Sequence, residues 1–86
     1  MTVDSRRIIR LLSNDINQCF EKVDRLIDAG YEPWQLLETI VDLDNLRRKY
    51  ISIAISDGYS VLSIVEYSGL TPNAINTILN SQASTA

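Results

Sequence analysis

The feature that most constrains this chain is a row of apolar residues in its first third, spaced alternately three and four positions apart. The row consists of Ile9, Leu12, Ile16, Cys19, Val23 and Leu26. This heptad spacing is typical of a helix that packs along its length against other helices. Four further apolar residues widen the face beyond what a single partner helix needs. They are Ile8, Leu11, Phe20 and Ile27. We therefore predict a long amphipathic first helix over about residues 4–29.

Glycines and capping residues divide the rest of the chain into three more helices. Each glycine follows an apolar helical pattern, where a left-handed residue commonly ends a helix. The glycines are Gly30, Gly58 and Gly69. Pro33 suits the first position of a second helix, and Ser60 and Thr71 are natural N-caps for a third and a fourth. The predicted fold is all-α, with four helices: a long antiparallel helical hairpin followed by a helix-turn-helix.

The chain of 86 residues suits one domain. We expect residues 4–57 to form the hairpin, residues 60–80 the helix-turn-helix, and residues 81–86 a flexible tail. A domain of this length buries only about 60–65% of its unfolded surface, so it gains from association. The surplus apolar face predicts a homodimer formed through the first helix. Trp34, at the start of the second helix, is expected to anchor the hairpin.

The stretch from Ser60 to Leu79 has the pattern of a known motif. Two short helices, each preceded by a cap and an apolar staple, flank the turn residue Gly69. Ile75 and Ile78 supply the apolar positions of the second short helix. Together with the basic segment before it, the stretch resembles the bacterial and phage-type helix-turn-helix DNA-binding domain over about residues 46–80.

The resemblance implies that the fourth helix lies in the major groove of DNA. Its outward positions are Thr71, Asn73, Asn76, Thr77 and Asn80. Asparagine can form two hydrogen bonds with adenine, and threonine can contact a thymine methyl group. The remaining candidate DNA contacts are Ser60, Arg47, Arg48 and Lys49. The implied function is a small dimeric regulator of transcription or replication that binds double-stranded DNA.

The charge pattern leaves two interpretations open. The net charge is −3 and the pI about 4.7, whereas DNA-binding domains usually present a basic patch. The predicted recognition helix contains no Arg or Lys. Either Arg47, Arg48 and Lys49 contact phosphates, or they solvate the second helix and pair with Asp42 and Asp44. The alternative function is an acidic protein-interaction module (an adaptor, an anti-factor or a phage-type inhibitor) whose helix-turn-helix is only structural.

The composition argues against catalysis and against a metal site. The chain has no histidine, the commonest general base and metal ligand. Its one cysteine, Cys19, falls on the apolar seam and is expected to be a small core residue. No apolar run approaches the roughly 18 residues that span a bilayer, and no signal peptide opens the chain. We therefore expect a cytoplasmic protein that is not an enzyme, binds no cofactor and does not enter a membrane.

Overall fold

The structure, a computed structural model, describes residues 3–83. Within this range the chain forms four helices and no strand. The helices are α1 (Ser5–Asp28), α2 (Trp34–Ser56), α3 (Val61–Ser68) and α4 (Pro72–Ala83). The predicted all-α fold of four helices is confirmed. None of these helices combines the length and the apolar character needed to cross a membrane.

Side-chain caps and left-handed glycines set the helix boundaries. Asp4, Ser60 and Thr71 each accept a hydrogen bond from a backbone N–H in the first turn of α1, α3 and α4, at 3.0, 3.2 and 3.1 Å. At the ends of α1 and α2, Gly30 and Gly58 have φ angles of 85° and 99°. The residue after each glycine donates its N–H to a carbonyl five residues earlier, which closes a Schellman motif.

Two boundaries differ from the sequence prediction. Pro33, expected as the first helical residue, has φ −90° and ψ 50° and precedes α2. Helix α4 continues to Ala83, although the sequence predicts a flexible tail from residue 81. The helix continues because residues 81–83 include no glycine or proline that would end it. The rest of the predicted tail, residues 84–86, lies outside the described residues.

Two buried clusters hold the helices together. The first joins all four helices and contains Ile9, Ile51, Ala54, Ile64, Ile75 and Ile78. The second lies between α1 and α2 and contains Ile16, Val23 and Ile40. Because early α1 residues meet late α2 residues, the two helices are antiparallel. The molecule therefore has a motif end, where α3 and α4 pack, and a hairpin tip, where residues 29–33 connect α1 to α2.

The apolar surface of α1 is covered by more than one helix of the same chain. Helix α1 packs against α3 as well as α2, which accounts for part of its wide apolar face. Leu11, Phe20 and Ile27 stay exposed on α1. The expectation that Trp34 anchors the hairpin is wrong, since its side chain is 65% exposed. Trp34 begins α2 at the hairpin tip, where its indole N–H donates to the Glu32 carboxylate at 2.7 Å rather than packing under α1.

Candidate nucleic-acid interface

Helices α3 and α4 meet at a tight turn around Gly69, whose φ of 72° is left-handed. An apolar residue precedes each helix: Tyr59 lies before α3 and Leu70 before α4. Both pack against the first buried cluster, to which Ile64 and Ile75 belong. These contacts fix the short helices onto the hairpin and determine which face of α4 meets solvent.

One face of α4 is polar and exposed. Its exposed residues, called here the α4 stripe, are Asn73, Asn76, Thr77 and Asn80. At 3.6 residues per turn, they fall within about 100° around the helix axis. The opposite face carries Ile75 and Ile78, which are buried in the first cluster. Neutral amide and hydroxyl groups therefore line the outer surface of α4, where they can hydrogen-bond to a ligand.

Three hydroxyls among the predicted DNA contacts already have partners within the chain. Those of Thr71 and Ser60 accept backbone N–H groups of their own helices. The Thr77 hydroxyl donates to the backbone carbonyl of Asn73 at 2.9 Å. Each hydroxyl oxygen keeps some acceptor capacity and each threonine keeps its methyl group. The donors of the α4 stripe that best suit base recognition are consequently its three asparagine amides.

Arg47 is buried between α1 and α2. Its side chain is only 12% exposed. The guanidinium donates to the Ser13 hydroxyl at 3.2 Å and to the Asp44 carboxylate at 2.9 Å. Arg47 therefore links the two long helices, and its guanidinium is already engaged within the chain, although part of the side chain lines the groove between α2 and α4.

Arg48 and Lys49 remain on the surface. Arg48 is 45% exposed and donates to the second oxygen of Asp44 at 3.0 Å. It lines a shallow groove between α2 and α4 together with Thr77, so it is a cation beside the α4 stripe. Lys49 is exposed on α2. Within the described residues Asp44 pairs with both arginines, whereas Asp42 enters no ion pair.

The environment of Asp44 makes its ion pairs sensitive to acid. Burial by itself raises the pKa of Asp44, but the hydrogen bonds and charges of Arg47 and Arg48 outweigh it and lower the pKa overall. Because the folded-state pKa lies below the unfolded value of about 3.9, the stabilisation is present above that value. It is lost as the pH falls through the folded-state pKa.

Replacing Asp44 with asparagine is expected to reduce the free energy of unfolding by about 1–2 kcal/mol at pH 7. The reduction follows because Arg47 would lose its charged partner between the long helices. Below about pH 4 the difference from wild type should shrink. Some acid sensitivity should remain, since the hydrogen bond from Arg6 also lowers the pKa of Asp4. Urea unfolding followed by circular dichroism at pH 7 and pH 3 measures both effects.

The control for this substitution is Asp42→Asn, which removes an exposed carboxylate from the same helix and should leave stability nearly unchanged. Wild-type stability of the Asp44→Asn variant at both pH values would contradict a stabilising role for the ion pairs.

The charges of the chain are separated along the molecule. Residues 15–44 carry eight carboxylates and two cations, a net charge of −6. The other charged side chains are six cations and three carboxylates, a net charge of +3, which completes the total of −3. The antiparallel hairpin places the acidic segment towards its tip and the cations at the motif end. The low pI thus reflects residues 15–44, towards the hairpin tip, whereas the motif end is basic.

Helix α1 contributes to the basic motif end, which the sequence analysis missed. The Arg6 guanidinium lies 4.0 Å from the ring centroid of Tyr59 and 4.7 Å from that of Tyr67. The Arg10 guanidinium lies 4.3 Å from the same Tyr67 ring. Arg6 also pairs with Asp4 at 3.1 Å. The arginines at the start of α1 were a usable signal, because an antiparallel hairpin brings that end of α1 to the motif.

The described residues offer little support for other kinds of site. No group of three or more His, Cys, Asp or Glu side chains within residues 3–83 is arranged to hold a metal ion. Cys19 is a half-buried free thiol that packs beside the second cluster. Comparison with protein-family models, curated proteins and solved structures found no match to this chain. A functional assignment therefore depends on the residues and geometry of the molecule itself.

Proposed function

We propose that the protein is a small regulator of transcription or replication that binds double-stranded DNA through α4, as a helix-turn-helix does. The observation that carries this proposal is the α4 stripe, in which three asparagines and a threonine share the exposed face of a capped helix. Asparagine amides suit the N6 and N7 atoms of adenine in the major groove. A helix of 12 residues is about 18 Å long and can enter that groove, which is about 12 Å wide.

The separation of charge supports this proposal. Phosphate neutralisation by Lys and Arg supplies much of DNA affinity, and α4 has no cation of its own. The cations must come from neighbouring helices, and those of the motif end give it a net charge of +3. Arg48, beside Thr77, is well placed to contact the backbone next to the α4 stripe. We accordingly expect modest affinity that falls steeply as salt rises.

We further propose that the protein acts as a cytoplasmic homodimer joined through the exposed part of α1. Phe20 and Ile27 are 48% and 57% exposed and lie seven residues apart, so they share one face of the helix. A two-fold dimer would bind a palindromic site. A monomer mass by light scattering at micromolar concentration would contradict the dimer.

The experiment that tests the function is selection from pooled random duplex DNA across a salt series, with protein of known oligomeric state. Enrichment of a sequence motif, with affinity that falls steeply as salt rises, would support the proposal. An inverted repeat in that motif would add support for the dimer. Failure to retain DNA even at low salt would contradict the proposed function.

A second candidate function is protein interaction, and one observation favours it. A groove of about 330 Å³ on the outer face of α2, towards the hairpin tip, is lined by Trp34, Leu37 and Val41, with Glu38 and Asp42 beside them. An apolar floor with an acidic rim suits the apolar face of a basic amphipathic helix. The fluorescence of Trp34, the only tryptophan, would report such a helix in a titration. An unchanged emission spectrum with basic amphipathic peptides would count against this candidate.

A further inference from the structure

We propose that a groove between α1 and α3 binds the phosphodiester backbone of DNA, beside the region that α4 contacts. This proposal rests on the proposed function and extends its interface to the first helix. The groove has a volume of about 510 Å³. Its lining consists of Arg7, Arg10, Leu11, Asn14 and Tyr67.

The two arginines of this groove are available to an anionic ligand. Arg7 and Arg10 are exposed. The ion pairs among the described residues include the other three arginines of the motif end, but neither Arg7 nor Arg10. A cation without a carboxylate partner can neutralise a phosphate at no cost in broken ion pairs, and it can release a condensed counterion from DNA. Arg7 and Arg10 are thus better suited to phosphate contact than the buried Arg47.

The groove also holds its polar groups in a defined row. Arg7, Arg10 and Asn14 follow one another at three- and four-residue spacing, so they share one face of α1. At about 1.5 Å per residue, the row extends over roughly 10 Å along the helix axis. The Arg10 guanidinium is held 4.3 Å from the Tyr67 ring centroid, which limits its freedom before a ligand arrives. A linear row of donors suits a chain of phosphates better than a single phosphate ion.

The position of α1 is compatible with one continuous DNA contact. Helix α3 packs against both α1 and α4, and within the described residues the backbones of α1 and α4 do not approach each other closely. Axes of packed helices are 8–10 Å apart, so the axis of α1 lies within about 20 Å of that of α4. The major groove is about 12 Å wide, so the separation of the two DNA strands that border it is similar to the separation of these two helix axes. With α4 in the groove, the row on α1 would contact a neighbouring strand.

The test is the salt dependence of DNA binding by an Arg7→Gln/Arg10→Gln variant. Each phosphate contact contributes about 0.9 to the slope of log K against log salt, so the slope should fall by about two. Affinity at about 0.1 M salt should fall roughly 10- to 60-fold for random and selected duplexes alike. Sequence preference should stay unchanged, because backbone contacts do not read bases. Fluorescence anisotropy with labelled duplex measures all three quantities.

The matched control is Lys22→Gln/Arg25→Gln, which removes two cations from α1 outside the groove. It should leave the slope close to the wild-type value. The single variant Arg7→Gln should show about half of the slope change of the double variant. Circular dichroism checks that each variant is folded. An equal loss of slope in both double variants, or an unchanged slope for Arg7→Gln/Arg10→Gln, would overturn the groove as a site while the proposed function stands. Absence of DNA binding by the wild-type protein at low salt would overturn both.

Discussion

Replacing Ile64 with alanine is expected to reduce the free energy of unfolding by about 2–5 kcal/mol, a large share of the stability of a domain this size. Ile64 has no exposed surface and lies in the cluster that also contains Ile9, Ile51 and Ile75. These four residues come one from each helix. A cavity at Ile64 would therefore weaken the packing of α3 and α4 on the hairpin as well as remove buried methyl groups.

Leu62→Ala is the control for this prediction. Leu62 lies on the same helix but is 73% exposed, so its truncation should change stability by no more than about 0.5 kcal/mol. Urea unfolding followed by circular dichroism gives both values under the same conditions. Similar reductions in the free energy of unfolding for Ile64→Ala and Leu62→Ala would contradict the packing of α3 in this structure.

The helices could be predicted from the sequence because their signals are local. The caps at Ser60 and Thr71 and the left-handed glycines act within one turn of the helix they begin or end. The apolar seam of α1 also identified buried residues, since Ile9 and Ile16 are in the core. Trp34 was misplaced because periodicity identifies a helix face but not how far the neighbouring helix covers it.

The candidate site was predictable only in part. The asparagines of α4 are exposed as expected, because the buried positions of a short amphipathic helix fix its outer face. The role of Arg47 depends on Ser13, which lies 34 residues earlier in the chain. The contact of Arg6 with Ser63 spans 57 residues. Such long-range pairs have no local signal in the sequence. The spacing of residues along the chain therefore predicted neither the burial of Arg47 nor the contribution of α1 to the basic motif end.

Net charge does not describe the surface near α4, for a related reason. A pI of about 4.7 argues against DNA binding only if the charges are evenly spread. Antiparallel pairing of α1 and α2 instead gathers the cations from both ends of the hairpin sequence at the motif end. The relevant quantity is therefore the charge of the surface near α4, which is fixed by chain topology rather than by composition.

Replacing Asn73 and Asn76 together with alanine is expected to weaken binding to the selected DNA site while leaving binding to random duplex unchanged. Each lost two-bond contact with a base is worth about 1–3 kcal/mol, so affinity for the selected site should fall at least 10-fold. The salt slope should not change, because neither residue carries a charge. Folding should be unaffected, since both residues are exposed and alanine favours the helix.

The control for this variant is Asn17→Ala/Asn45→Ala, which removes two exposed asparagines from the hairpin and should bind the selected site like wild type. Wild-type preference in the Asn73→Ala/Asn76→Ala variant would show that α4 does not read bases through these amides. The groove between α1 and α3 should behave in the opposite way. Replacing Arg7 and Arg10 with glutamine should change the dependence of DNA affinity on salt and leave the sequence preference intact. Anisotropy titrations of both variants against the same two duplexes would therefore separate base recognition by α4 from backbone contact by α1.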